Sequence, residues 1–310
     1  MSSGDGRRAP PISIGLPVYN GERFLARAVQ SILEQEYGDF ELVISDNGST
    51  DTTPEIGRHF AAHDDRVTYL RHETNRGAAW NFNHVVAVTS GPLFKWAAHD
   101  DELRPAWLGR CVAALAEAPT AALAYTRRVK IDADGNLVKV TRSRPKAFLN
   151  PAAGPAERFT DVLARTTSCI ESFGLIRRAT LGRTRLLQRY PASDRILLAE
   201  LALLGHFAEV PEELFLHREH EDRSIRRYRT ASASAAWFEP GRGAHPALPT
   251  WRLGWEYARA VNRAGLPASE RLRAYQGVAG WVARRRRLMA DNVVDAVRTK
   301  AGQWRQPIRA

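Results

Sequence analysis

Apolar positions along the chain change period in a regular way. Pro11 to Leu16, Phe40 to Ile44, Val67 to Leu70 and Phe94 to Ala98 are short apolar runs, the length and composition of buried strands. Between them the period switches to that of a helix. Phe24, Leu25, Ala28, Val29, Ile32 and Leu33 share one helical face, Asp51 and Pro54 open a second helix, and Ala78 to Val88 forms a third after the break at Asn75-Arg76-Gly77. Strand–helix alternation of this kind predicts an α/β fold with a mostly parallel sheet and right-handed crossovers.

Beyond Leu103 the pattern loosens. Residues 105–118 and Asp194 to Leu204 read as helices. Ala122 to Ile131 and Leu137 to Val140 read as a hairpin around Asp134-Gly135, with Phe173 to Ile176, Phe207 to Val210 and Leu214 to Leu216 as further extended segments. Residues 142–155 form a polar, proline-containing loop. After Arg226 the character changes: Ala and Ser alternate, Pro240 to Pro249 carries three prolines and two glycines, and Trp251 to Ala264 and Ser269 to Val297 then read as helices. The expected division is a disordered 1–11, an α/β domain over 12–225 with halves at about 12–104 and 105–225, and a basic linker with helices over 226–310.

Charge sharpens that division. Residues 1–225 carry 28 Lys/Arg against 29 Asp/Glu, a net of −1, and residues 226–310 carry 17 against 5, a net of +12. The basic end, with Trp251, Trp255, Trp281 and Trp304, suits either a helical appendage packed on the domain or across a homodimer, or a peripheral contact with an anionic membrane face. No run approaches the ~18 apolar residues of a membrane span, and Met1 to Pro11 has no apolar core of a signal peptide. Cys111 and Cys169 are then expected as free thiols in a reducing cytoplasm.

The candidate chemistry lies where strands end. Each strand of the first half stops at a polar cluster: Tyr19-Asn20, Asp46-Asn47, Asn75-Arg76 and Asp100-Asp101-Glu102. In a parallel sheet those ends share one edge, the edge at which such sheets hold ligands. Three consecutive acids there repel one another, and a divalent cation on oxygen ligands relieves that repulsion. His59 and His63 have the spacing of a zinc-protease pair, but Phe60 stands where its glutamate belongs.

Four stretches together resemble family 2 glycosyltransferases: Ile14 to Gly21, Glu41 to Asp51, Asn75-Arg76-Gly77 and His99-Asp100-Asp101-Glu102. The resemblance spans about residues 12–225 and implies a GT-A-type α/β fold and an inverting transfer from a nucleoside-diphosphate sugar, with UDP as the expected nucleotide. It places Pro17 and Tyr19 against the base, with Asn20 in the same turn, Asp46 or Asn47 at the uracil edge, and Arg76 near the base or diphosphate. It makes Asp100 the ligand of Mn2+ or Mg2+, joined by Asp101 and by His220 of Arg218-Glu219-His220. Ala98 stands where the family's first acid is usual. Asp194 is the implied general base, and a helix cap is its plainer reading. The implied acceptor is a glycan, a lipid-linked sugar or a small molecule, met by residues 142–155 and Glu171 to Gly174. Two other classes fit less well. A nucleotidyltransferase wants a Gly-rich basic loop where Pro17 to Gly21 stands. A nucleic-acid binder using the basic end would show an RRM, KH or zinc pattern.

Overall fold

In the computed structural model, which describes residues 11–138, 152–166, 169–221, 223, 237–238 and 248–304, with side chains to 297, strand β1 (Ile12–Val18) is buried at every position. A strand covered on both faces needs apolar residues on both, so it reads as an unbroken run. It pairs in parallel with β2 (Phe40–Asp46) and β4 (Leu93–Trp96), and β2 pairs in parallel with β3 (Val67–Arg71). The crossovers are α1 (Leu25–Leu33), α2 (Thr53–His63) and α3 (Ala78–Ala87). These are the strands and helices the apolar periods predict, each within a few residues.

The second half completes one eight-stranded sheet in the order β3-β2-β1-β4-β7-β6-β8-β5. Its strands are β5 (Glu102–Leu103), β6 (Ala121–Ile131), β7 (Leu175–Arg177) and β8 (His206–Arg218). Helices α4 (Trp107–Glu117), α5 (Pro155–Arg165), α6 (Arg178–Leu181) and α7 (Ser193–Leu204) lie between them. α1, α2 and α4 cover one face with Leu25, Val29, Leu108 and Leu115, and α3, α5 and α7 cover the other with Val85, Phe159 and Leu197.

Three expectations change here. Ala121–Ile131 is not one arm of a closed hairpin: Leu137 makes a single bridge to Ile131, and the strand's long partner is β8, in parallel. Residues 139–140 of the expected second arm, and 142–151 of the polar loop, lie outside the described residues. The two extended segments at 207–210 and 214–216 are one strand. Pro211 cannot donate to the ladder, so the register slips between Val210 and Glu213 and pairing resumes beyond. Finally, Glu102–Leu103 is a short strand antiparallel to β8, which the acid run conceals.

The last two helices, α8 (Pro249–Arg263) and α9 (Ala268–Trp304), lie on the α5–α7 face. Tyr257, Ala260 and Val261 of α8 and Ala274, Val278 and Trp281 of α9 share a core with Phe159 and Leu198. Gly277 allows this approach, since a Cβ there would sit 2.4 Å from Thr160 Oγ1. Glu270 Oε2 accepts the Ala156 amide of α5 at 3.0 Å. Each large apolar side chain buried at this seam contributes roughly 1.5–3 kcal/mol. No helix among the described residues is long and apolar enough to cross a membrane. The expected linker lies almost wholly outside the described residues.

Candidate active site

The ends of β1 and β2 are stitched together before anything binds. Asn20 adopts a left-handed backbone (φ 51°), donates its amide to Ser49 Oγ at 2.9 Å and accepts Thr50 N on Oδ1 at 2.9 Å. Gly21 N donates to Thr53 Oγ1 at 2.8 Å. Pro17 is buried in β1 opposite Ser45, while Tyr19 stands 37% exposed above the loops. Asp46 is fully buried: Oδ1 accepts Ser49 N at 2.8 Å and Oδ2 accepts the Tyr69 hydroxyl at 2.6 Å. Asn47 Oδ1 accepts Arg76 N at 3.0 Å, and its Nδ2 donates to Asn75 Oδ1 at 2.9 Å. Asp46 and Asn47 therefore shape the loops that carry Tyr19 and Arg76. Gly48 (φ 78°) lets the third loop come close, since a Cβ there would meet the Thr74 carbonyl carbon at 2.9 Å.

Arg76 stands over the Trp80 ring at 3.9 Å, and Trp80 stacks on His84 at 4.7 Å. His72 meets both rings edge-on. Burial above all, with the Arg76 charge, holds His72 and His84 below the usual histidine range, and each ring's place beside the other adds to this for His72. Sequence reading missed this cluster. Its signal is Trp80 and His84, four apart on α3.

The three acids after β4 separate into distinct roles. Asp100 Oδ2 accepts His220 Nε2 at 2.9 Å, although 120 positions separate the two in the chain. Burial pushes the Asp100 carboxyl up, but His99, His220 and His217 together outweigh it and hold the group well below the ordinary carboxylate range. Asp101 turns to β8: its Oδ1 accepts Arg218 N at 2.9 Å and His217 Nδ1 at 3.1 Å. Arg223 donates to His217 Nε2 at 2.7 Å, which fixes the ring with its Nδ1 toward Asp101. Glu102 pairs with Arg218. Arg218 is 0% exposed and also donates to the carbonyls of Asp100, Asp132 and Ala133. It fixes the acid loop from beneath, a role the Arg-x-His pattern did not reveal.

His220 Nδ1 is buried without a partner, and the ring rests on Phe24 at 4.6 Å. The ionised Asp100 carboxylate is an oxygen donor suited to Mn2+ or Mg2+, and His220, whose unsatisfied Nδ1 lies across the ring from the Nε2 that meets Asp100, adds an imidazole nitrogen at its edge. Among the described residues no group of three or more His, Cys, Asp or Glu side chains is placed to hold an ion. A cation here would draw its remaining ligands from a diphosphate and water, as Mg2+ sites commonly do.

On the acceptor side, α7 starts at Ser193 after a left-handed Ala192 (φ 64°) and without a side-chain cap. Asp194 thus lies in the first turn and is not the cap. It is half-buried, its Oδ1 accepts Arg195 N at 2.9 Å, and it bonds the Cys169 thiol. Burial raises its carboxyl above the ordinary value, more than the bonds from Cys169 and Arg195 lower it. Cys169 precedes a short 3-10 turn, Ile170–Phe173, in which Glu171 is likewise raised by burial. Lys95 of β4, 1% exposed, reaches that turn: its Nζ donates to the Phe173 carbonyl and lies 4.1 Å from the Trp107 ring centroid. Lys95 thereby ties the strand carrying Asp100 to the turn carrying Glu171.

Comparisons with known proteins bear on the fold and the family. The chain is 36% identical to the putative glycosyltransferase EpsE of Bacillus subtilis over 107 residues, 34% of this chain and 38% of that protein. It is 33% identical to a chondroitin synthase of Escherichia coli over 132 residues, 43% of this chain and 19% of that protein. The match therefore spans well under half of either relative. Among solved structures it resembles S. aureus TarS 1-349 in complex with UDP-GlcNAc (TM-score 0.65, 16% identity, 88% of this chain and 72% of that one). It also resembles the mannosyltransferase PcManGT from Pyrobaculum calidifontis in complex with GDP-Man and Mn2+ (TM-score 0.52, 18% identity, 96% and 83%). These likenesses show the expected GT-A-type sheet. The family described as glycosyl transferase family 2 matches residues 13–184, more than half of the chain. The chain belongs to glycosyl transferase family 2.

Proposed function

We propose that this protein is an inverting, metal-assisted glycosyltransferase that moves a sugar from a UDP-sugar to a hydroxyl of a glycan acceptor. The observation that carries the reading is the Asp100–His220 pair: an ionised carboxylate beside an imidazole with an unsatisfied nitrogen, at the end of the sheet where Tyr19 and Arg76 also stand. The UDP-GlcNAc complex of the TarS structure favours UDP, and the Mn2+ complex of PcManGT favours a metal. A chondroitin synthase and a hyaluronan synthase of Pasteurella multocida among the relatives favour a polysaccharide-type acceptor.

In this reading Tyr19 packs on the base, and Asp46 and Asn47 hold the loops that present it. Asp100 and His220 would hold the cation, and Asp101 and Arg218 fix the loop that aims Asp100. The cation, when bound, neutralises charge growing on the leaving diphosphate as a Lewis acid. Asp194 takes the acceptor proton as the new bond forms. Its raised affinity for protons suits a base working near neutral pH. Attack from the face opposite the leaving group inverts the anomeric carbon.

Calorimetry of UDP and GDP binding, in Mn2+ and in EDTA, tests the reading. UDP is expected to bind in Mn2+ and to lose that affinity in EDTA or in Asp100→Ala. Equal UDP affinity with and without the metal overturns the metal role, and a preference for GDP overturns the nucleotide.

A further inference from the structure

Helix α8 already buries one face, through Gly254, Tyr257, Ala260 and Val261. Among the described residues, the opposite face carries Trp251 at 49% and Trp255 at 65% exposure, one turn apart, with Leu248 at 38% just before the helix. Arg252 and Arg259 are exposed on the same face. Large exposed apolar side chains gathered on one face mark a contact surface.

The neighbouring helix extends this surface. The Trp251 indole N–H donates to the Met289 carbonyl at 3.0 Å, and the Thr250 amide donates to Asn292 Oδ1 at 3.1 Å. Arg286, Val293 and Val297 follow helical spacing along the stripe beside Met289, and Val293 is 41% and Val297 62% exposed. Residues 249–297 hold nine arginines against four acids, a net of +5. Two of those acids and three of the arginines are engaged internally: Glu256 pairs with Arg185 and Arg259, Glu200 with Arg263, and Glu270 with Arg273 while it accepts the α5 amide.

We propose that the outer face of α8, with the adjoining stripe of α9, is a docking surface for an anionic lipid membrane. Tryptophan, leucine and valine would enter the boundary between headgroups and acyl chains, and Arg252, Arg259 and Arg286 would meet the lipid phosphates. Charge decides between the possible occupants. A second copy on a twofold axis would bring these same arginines face to face, where they repel. A nucleic acid would satisfy the arginines but leave the exposed leucine and valines against a polar backbone. An anionic bilayer satisfies both kinds of side chain. This surface goes beyond the proposed transfer reaction and does not rest on it.

Vesicle flotation of the full-length protein tests the proposal without any assay of transfer. The probes are phosphatidylcholine vesicles with and without phosphatidylglycerol, at low and high salt. Binding is expected only to the anionic vesicles, and high salt should weaken it. Trp255→Ala should weaken binding on the order of tenfold, and Arg286→Gln about fivefold. Thermal melting of each variant shows that the fold persists. Trp255 is more exposed than Trp251 or Trp281, so its loss should leave the core intact. Failure to float with anionic vesicles at low salt overturns the proposal. So does flotation that Trp255→Ala leaves unchanged. A concentration-dependent dimer, or binding to a DNA oligonucleotide, that Trp255→Ala abolishes while no vesicle binds would assign the face to that partner instead.

Discussion

Asp100 and Asp194 are both half-buried aspartates at sheet or helix ends, yet their surroundings drive them in opposite directions. Burial alone would raise both. Around Asp100 three histidines reverse the effect and hold the group ionised. Around Asp194 the compensating groups are the Cys169 thiol and the Arg195 amide and charge, and they do not overcome burial. Two carboxylates whose environments separate their proton affinities are the pattern that divides labour in an active site. One remains an anion over the working pH range, as a cation ligand must. The other is the better proton acceptor.

The largest expected effect breaks or confirms that division. Asp194→Asn should slow transfer roughly 10²–10⁴-fold and leave UDP affinity near normal, by single-turnover kinetics beside calorimetry. A wild-type rate would pass the role to Glu171, which burial also raises. The pH profile carries the same division. Activity should climb with pH through the raised Asp194 value, with its limb above the ordinary carboxylate range, because the base must be ionised to act. Between the ordinary value of 3.8 and that raised value the folded chain binds more protons than the unfolded one. Asp194 thus makes stability fall as pH rises through that window. Asp194→Asn should therefore gain in melting temperature at neutral pH and lose that gain below pH 3.8.

On the Asp100 side, His220→Ala should weaken metal-supported UDP binding about ten- to hundredfold and leave the limb assigned to Asp194 in place. If that limb moves as well, the two aspartates are coupled and the division fails. Lys95 offers a smaller test through stability. Burial pushes its ammonium down to about 7 from 10.5, against the pull of Cys111 and Asp101. Between those values the unfolded chain binds more protons, so this group makes stability rise with pH. Denaturant melts of Lys95→Met across that window should lose a slope of up to about 1.4 kcal/mol per pH unit.

The same contrast explains what could be read from the chain. Asp100 lay in a run of acids after an apolar strand, and Tyr19, Asp46 and Arg76 each followed a strand of the parallel half, where period and turn residues are local signals. Asp194 came forward only through family resemblance. Nothing local distinguishes an aspartate in the first turn of α7 from an ordinary helix-start acid. Arg218 and Cys169 were passed over because their roles come from distant partners: Asp100, Glu102 and Asp132 for the one, Asp194 for the other. The sheet shows the same limit. β5 is two residues long and is defined by β8, more than a hundred positions away. The hairpin expected at Asp134-Gly135 had the right turn residues, but the long-range pairing of β6 with β8 prevailed.

The finest test isolates the contact that most distinguishes Asp194 from Asp100. The Cys169 thiol donates to the Asp194 carboxylate, and burial holds that thiol well above its usual range, so it remains a donor at any working pH. A thiol is a weak donor, so its removal should matter less than the ~1.5–3 kcal/mol of an ordinary bond to a charged group. Cys169→Ala removes the donor and retains a Cβ, so the left-handed backbone there (φ 51°) is no harder to adopt. The ionised form of Asp194 then loses support, and its proton affinity rises further. The acidic limb of activity should move to higher pH, with the rate near neutrality falling several-fold. Cys169→Ser restores a hydroxyl donor and should return the limb toward its original position. UDP affinity in Mn2+ should be the same in all three proteins, because Asp100 and His220 are untouched. A limb that stays in place in Cys169→Ala would mean that the thiol only fills space beside Asp194.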